Sequence, residues 1–142
     1  MGVEKRENQL LYFTITYFII FKTTFMKNFK ELRIWQKGIE IAVKSYKATE
    51  TFPAQEKFGI TSQITRAGVS IPSNIAEGSS RKSVKDYARF IEISLGSSFE
   101  LETQLLIARE LNFGNTEAMN HLLFEVGEEQ KMLQGFLSKL GY

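Results

Sequence analysis

Apolar residues recur along this chain at intervals of three and four, which is the spacing of one face of an α-helix. From Phe29 to Glu50 the recurring positions are Leu32, Trp35, Ile39, Ala42, Val43 and Tyr46. Thr51-Phe52-Pro53 ends that run, and Pro53 suits the first turn of a following helix. A second helix is predicted from Ala54 to Gly78, with Ile60, Ile64, Ala67, Ile71 and Ile75 inward. Pro72 interrupts it. The carbonyl four residues back belongs to Gly68, so a kink is expected there rather than a break. A third helix opens at Ser83, with Asp86 three residues on in the manner of a capping box. Its inward positions are Tyr87, Phe90, Ile91, Leu95, Leu101, Leu105, Ala108 and Leu111. After the turn Phe113-Gly114-Asn115, a fourth helix is predicted from Thr116 to Lys139. It turns Met119, Leu122, Leu123, Val126, Leu133, Phe136, Leu137 and Leu140 inward.

Four helices joined by short connections predict an all-α, antiparallel, up-down-up-down four-helix bundle. An interior glycine in each helix (Gly38, Gly68, Gly96 and Gly127) points to close helix approach.

Residues 1–25 do not share this pattern. Leu10 to Phe21 is an apolar run of 12 residues, shorter than the about 20 that cross a bilayer. No small-residue cleavage site follows it, and Glu4 and Glu7 precede it. Three readings stand. Met26 is the first residue and the upstream stretch a misassigned start; or the stretch is a strand or helix packed on an apolar groove; or it is a membrane-targeting tail. The domain is read as residues 26–142.

Composition adds three constraints. The 142 residues suit one domain, and 43% are hydrophobic, enough for a core. There is no cysteine, which excludes disulfides, thiolate metal sites and thiol nucleophiles. The net charge of +2 is unevenly spread. Met26–Arg89 holds twelve Lys/Arg against six Asp/Glu (+6), and Phe90–Tyr142 holds three against eight (−5). A basic half fits either nucleic acid or complementary surfaces in an oligomer.

Three sets of residues carry candidate chemistry. Lys30, Arg33, Lys37, Lys44 and Lys47 form a basic stripe on the first helix, and Arg81, Lys82, Lys85 and Arg89 cluster at the turn between helices two and three. Either a solvated face or phosphate binding through counterion release explains them. Gln63, Arg66, Ser70, Asn74 and Glu77 make a polar stripe on helix two, with Ser94, Ser97, Ser98 and Glu100 on helix three as partners. It reads as a hydrogen-bonded seam, or as a ligand surface. An enzyme would need Arg66, Asn74, Glu77 and Glu100 to converge in an open pocket. The single histidine, His121, has no Glu-x-x-His partner, since position 118 is Ala. No P-loop, dinucleotide fingerprint, nucleophile elbow or base-reading motif is present. No catalytic residue, metal or cofactor is therefore expected, and a cytoplasmic location fits.

Four segments carry a family resemblance. They are Phe29-Lys30-Glu31-Leu32-Arg33-Ile34-Trp35-Gln36-Lys37; Ser62-Gln63-Ile64-Thr65-Arg66-Ala67; Ser70-Ile71-Pro72-Ser73-Asn74-Ile75-Ala76-Glu77-Gly78; and Gly96-Ser97-Ser98-Phe99-Glu100-Leu101-Glu102-Thr103-Gln104. In order and spacing the chain resembles, over residues 26–142, the bacterial four-helix bundle family named for the intervening sequences of 23S ribosomal RNA genes. The resemblance implies a four-helix bundle, often a homo-oligomeric ring of five subunits, and supports Met26 as the start. The chain is also similar to accessory proteins of diversity-generating retroelements, which share that fold and bind nucleic acid and a reverse transcriptase. It therefore implies itself, DNA or RNA, and a protein such as a reverse transcriptase as partners. A protein-interaction scaffold with no nucleic-acid role is the alternative.

Overall fold

The computed structural model describes residues 28–142 together with Gln9 and Tyr12. The readings of residues 1–25 otherwise lie outside the described residues. The fold is all-α, with four long helices and, among the described residues, no strand. The helices are α1 (Arg33–Thr49), α2 (Ile60–Ser79), α3 (Val84–Glu110) and α4 (Thr116–Leu140).

Two helices begin later than their periodicity predicts. Phe29–Glu31 is a separate 3-10 turn, because the Asn28 side chain accepts from the Lys30 N–H at 3.2 Å and closes it locally. Leu32 is then extended and starts α1. Ala54–Glu56 is likewise a 3-10 turn. Gly59 breaks the backbone before Ile60, whose N–H the Glu56 carboxylate meets at 3.5 Å. The other starts carry side-chain caps. Ser83 Oγ accepts from Asp86 N–H at 3.0 Å, and the Asn115 side chain accepts from Ala118 N–H at 2.8 Å. Gly141, in the left-handed region at φ 88°, closes α4.

Each helix packs on its chain neighbours, and α1 also meets α4. Along α1 and α2, Gly38 lies against Ile71 and Pro72 while Ser45 lies against Gly68. Between α2 and α3, Gly78 meets Tyr87, Ser70 meets Ser97, and Gln63 meets Gln104. Between α3 and α4, Tyr87 meets Phe136 and Arg109 meets Asn120. Ile41, Ile64, Ile71, Ile75, Ile91, Leu101, Leu105, Leu122, Val126 and Leu133 form the fully buried centre. α2 runs without a break through Pro72.

The inward stripe of α1 is corrected. Of the six positions read as inward, Ala42 alone is buried. Leu32 and Trp35 are half-buried, and Ile39, Val43 and Tyr46 are exposed. The buried face is instead Ile34, Gly38, Ile41, Ala42, Ser45 and Thr49. Small residues at 38, 42 and 45 let α2 approach closely, and the denser packing turns the bulkier residues outward. Ser45 and Thr49 are tolerated inside because their hydroxyls donate back to the carbonyls of Ile41 and Ser45, at 2.8 and 3.0 Å. Close approach holds for Gly38 and Gly68 but not for Gly96 or Gly127, where an added Cβ would meet no other group within 4 Å.

Candidate nucleic-acid interface

The nine basic residues singled out in the sequence divide into two environments. Lys37 and Lys44 sit one face apart from the α2 contact and turn toward α4. Both donate to Glu125 Oε1, at 3.1 and 2.5 Å. Glu125 is buried. Burial pushes its carboxyl up, but the hydrogen bonds and charges of Lys44 and Lys37 together outweigh that and hold it below the usual carboxylate range. These two lysines therefore have a counterion within the fold.

Lys30, Arg33, Lys82, Lys85 and Arg89 are exposed and have no ion pair among the described residues. Arg81 is exposed too, bonded to Glu77 at 2.5 Å and stacked over the Phe90 ring at 4.5 Å. The turn holding Lys30 packs on α2, and Gly38 meets Pro72, so α1 begins beside the last turns of α2. Arg81–Arg89 follow directly from those turns. Six basic side chains thus gather at one end of the molecule, with Glu31, Glu77 and Asp86 as the acidic residues of the same segments. Lys47 is exposed toward the opposite end of α1.

The polar seam forms between α2 and α3, but only in part. Ser70 and Ser97 share a 2.9 Å bond, Asn74 donates to Ser70 Oγ at 2.9 Å, and Ser94 donates to the Ile71 carbonyl at 2.9 Å. Gln104 donates to Glu100 at 3.0 Å and reaches Gln63 at 3.5 Å. Ser97 is buried, Ser70 and Asn74 half-buried, and Gln63, Arg66, Glu77 and Glu100 exposed. Arg66 has no ion pair among the described residues. Arg66, Asn74, Glu77 and Glu100 do not converge: Asn74 is engaged by Ser70, Glu77 by Arg81 and Glu100 by Gln104.

His121 is exposed, with Nδ1 3.6 Å from Glu125 Oε2. One turn further along α4, Glu129 is wholly buried, and neither of its carboxyl oxygens has a hydrogen-bond partner among the described residues. Burial pushes its carboxyl up to about 8, against a smaller opposing pull from Lys37. Neither glutamate was singled out from the sequence, yet a signal existed. Met119, Leu122, Val126, Leu133 and Leu137 leave a gap of seven, and Glu129 fills it at helical spacing. Among the described residues no group of three His, Asp or Glu is placed to hold a metal ion. No helix there is long and apolar enough to cross a membrane.

These features define a class: an all-α four-helix protein whose polar groups lie along two interhelical seams and which gathers a group of exposed cations without ion pairs at one end. More particularly, the chain belongs to the 23S rRNA-intervening sequence protein family, whose model matches residues 30–135. Among solved structures it is similar to a protein of unknown function from the S23 ribosomal protein family of Bacteroides thetaiotaomicron VPI-5482, determined at 1.70 Å. The two are 26% identical, with a TM-score of 0.66 over 73% of this chain and 97% of that one. None of the curated proteins matches the chain.

Proposed function

We propose that this chain is a non-enzymatic, cytoplasmic, homo-oligomeric protein that binds DNA or RNA through its basic end. We read its four helices as an antiparallel up-down-up-down bundle. Support for the bundle comes from the pairings themselves: partners of rising number on one helix have falling numbers on the next, as with Gly38 and Pro72 against Ser45 and Gly68.

The observation that carries the nucleic-acid reading is the grouping of Lys30, Arg33, Arg81, Lys82, Lys85 and Arg89, of which Arg81 alone has an acidic partner. Cations without an internal counterion are the ones that release counterions from a polyanion. Repetition of that end around a ring, as in the five-subunit assemblies the resemblance implies, multiplies the field a strand meets. Support for self-association comes from Ile39, Val43 and Tyr46, a strip on α1 that stays 39%, 49% and 55% exposed in the single chain.

That same strip favours a second reading, a protein-interaction scaffold with no nucleic-acid role. Light scattering on a size-exclusion column, with and without a short mixed-sequence oligonucleotide at low salt, separates the two. Co-elution that weakens steeply as salt rises upholds the first reading. An oligomer that ignores both DNA and RNA overturns it in favour of the scaffold.

A further inference from the structure

A cleft of about 350 Å³ opens between the last turns of α1 and the first turns of α4, at the opposite end from the basic cluster. Its walls are of two kinds. Ala48, Ala118 and Leu122 give an aliphatic floor, and Lys44, Lys47 and His121 stand around it.

Three details bear on what would fit. Lys47 has no ion-pair partner among the described residues. Lys44 gives one bond to Glu125 Oε1, and an ammonium has three donors, so capacity remains. Glu125 Oε2 is buried with no hydrogen-bond partner and lies 3.6 Å from His121 Nδ1, which positions the imidazole at the cleft. The cleft also meets the start of α4, where the helix dipole favours an anion. Two ammonium groups and an imidazole around an aliphatic floor ask for a ligand with an anionic group joined to an apolar body. A carboxylate would use one lysine; a phosphate monoester, with its larger charge and three free oxygens, can take Lys44, Lys47 and His121 together.

We propose that this cleft binds a nucleotide: a phosphate monoester on Lys44, Lys47 and His121, with its base over Ala48, Ala118 and Leu122. This goes beyond strand binding at the basic end, and either can fail without the other. The nucleotide is free in solution or is the 5′-phosphorylated terminus of a strand.

His121 is the only histidine, so its ring protons are a resolved proton-NMR reporter in the full chain. Adenosine 5′-monophosphate is expected to move them saturably, and adenosine is not. Lys47→Ala should weaken the response about tenfold, as loss of one charge-assisted bond does. Ala118→Trp should abolish it by filling the cleft with all charges kept, and circular dichroism reports whether that variant is folded. Lys47→Ala, at an exposed site, carries the test if it is not. A triple Lys82→Ala, Lys85→Ala, Arg89→Ala variant should keep the full response while losing strand binding. A 5′-phosphorylated oligonucleotide that outcompetes the mononucleotide at His121 upholds the site with the strand end as its source; the reverse order upholds it with the free nucleotide. The proposal is overturned if the nucleotide leaves the His121 signals unmoved. It is equally overturned if inorganic phosphate matches the nucleotide's affinity, since the floor then contributes nothing.

Discussion

Pro72 lies directly on Gly38: a Cβ added to Gly38 would stand 3.3 Å from both the ring and the nitrogen of Pro72, and 3.3 Å from Ile71 Cγ2. The residue that disturbs α2 and the residue that disturbs α1 therefore occupy the same contact. Both are buried, so the contact has no room to open toward solvent.

Gly38→Val is expected to destabilise the fold by about 2 kcal/mol or more, since a branched side chain overpacks a site bounded by backbone. Gly127→Ala is expected to do the reverse. A Cβ added at Gly127 would meet no neighbouring group within 4 Å, so the helix-propensity gain of up to about 1 kcal/mol is unopposed. Urea unfolding of the two variants checks both signs.

Glu129 predicts how stability changes with pH. Its carboxyl titrates at about 8 in the folded chain, against 4.5 in the unfolded chain. Between those values the folded state holds a proton that the unfolded state has released. Stability from this group is thus complete below 4.5 and is lost progressively as pH rises to about 8. Glu129→Gln removes that slope. It should leave stability near the native value at pH 5 and raise it by a few kcal/mol, in order of magnitude, at pH 9. Denaturation midpoints across that range decide the matter. An unchanged slope in the variant would refute the assignment.

Glu125 acts in the opposite window. Its carboxyl is held below the usual range, so its contribution is present above 4.5 and is lost as pH falls through the lowered value. Glu125→Gln at neutral pH is expected to cost about 1–2 kcal/mol. This is less than a fully buried pair costs, because Lys37 and Lys44 stay partly solvated. The same variant frees both lysines, so low-salt binding to an oligonucleotide should tighten while stability drops.

At the basic end, the Lys82→Ala, Lys85→Ala, Arg89→Ala variant should weaken strand binding and reduce the salt slope by about one for each phosphate the variant leaves unneutralised. Binding isotherms over a range of salt concentrations give that slope directly. An unchanged slope would remove this end from the interface.

If the strip on α1 is the proposed subunit interface, Val43→Glu with Tyr46→Glu should yield a folded monomer, because two charges would then face an apolar strip in a neighbouring copy. Light scattering gives the mass, and circular dichroism the helix content. An oligomer that survives both charges would place the subunit interface elsewhere.

Much of the fold was legible from period and caps. α3 starts directly after the Ser83 cap, and α4 starts at Thr116, directly after the turn Phe113-Gly114-Asn115. α1 was misread on its inward face because large apolar residues dominate any hydrophobic pattern, whereas Gly38, Ala42 and Ser45 pack against α2 by being small. The charged seam was illegible for a different reason. Lys37 and Glu125 are 88 residues apart in the chain, and nothing local marks a lysine as spoken for. Glu129 was visible only as a missing apolar position. The polar stripe was readable as to which face it occupies. Its partners were not, because Glu77 pairs with Arg81 one turn away rather than with a residue of α3.

A single buried carboxylate that occupies two ammonium groups also sets a direction. A polyanion approaching along the flank formed by α1 and α4 must compete with Glu125 for Lys37 and Lys44. One approaching the end that carries Lys30, Arg33, Lys82, Lys85 and Arg89 meets no such rival. The fold thus screens Lys37 and Lys44 on its side and leaves its tip electropositive, and under the proposed function a strand would meet the molecule end-on.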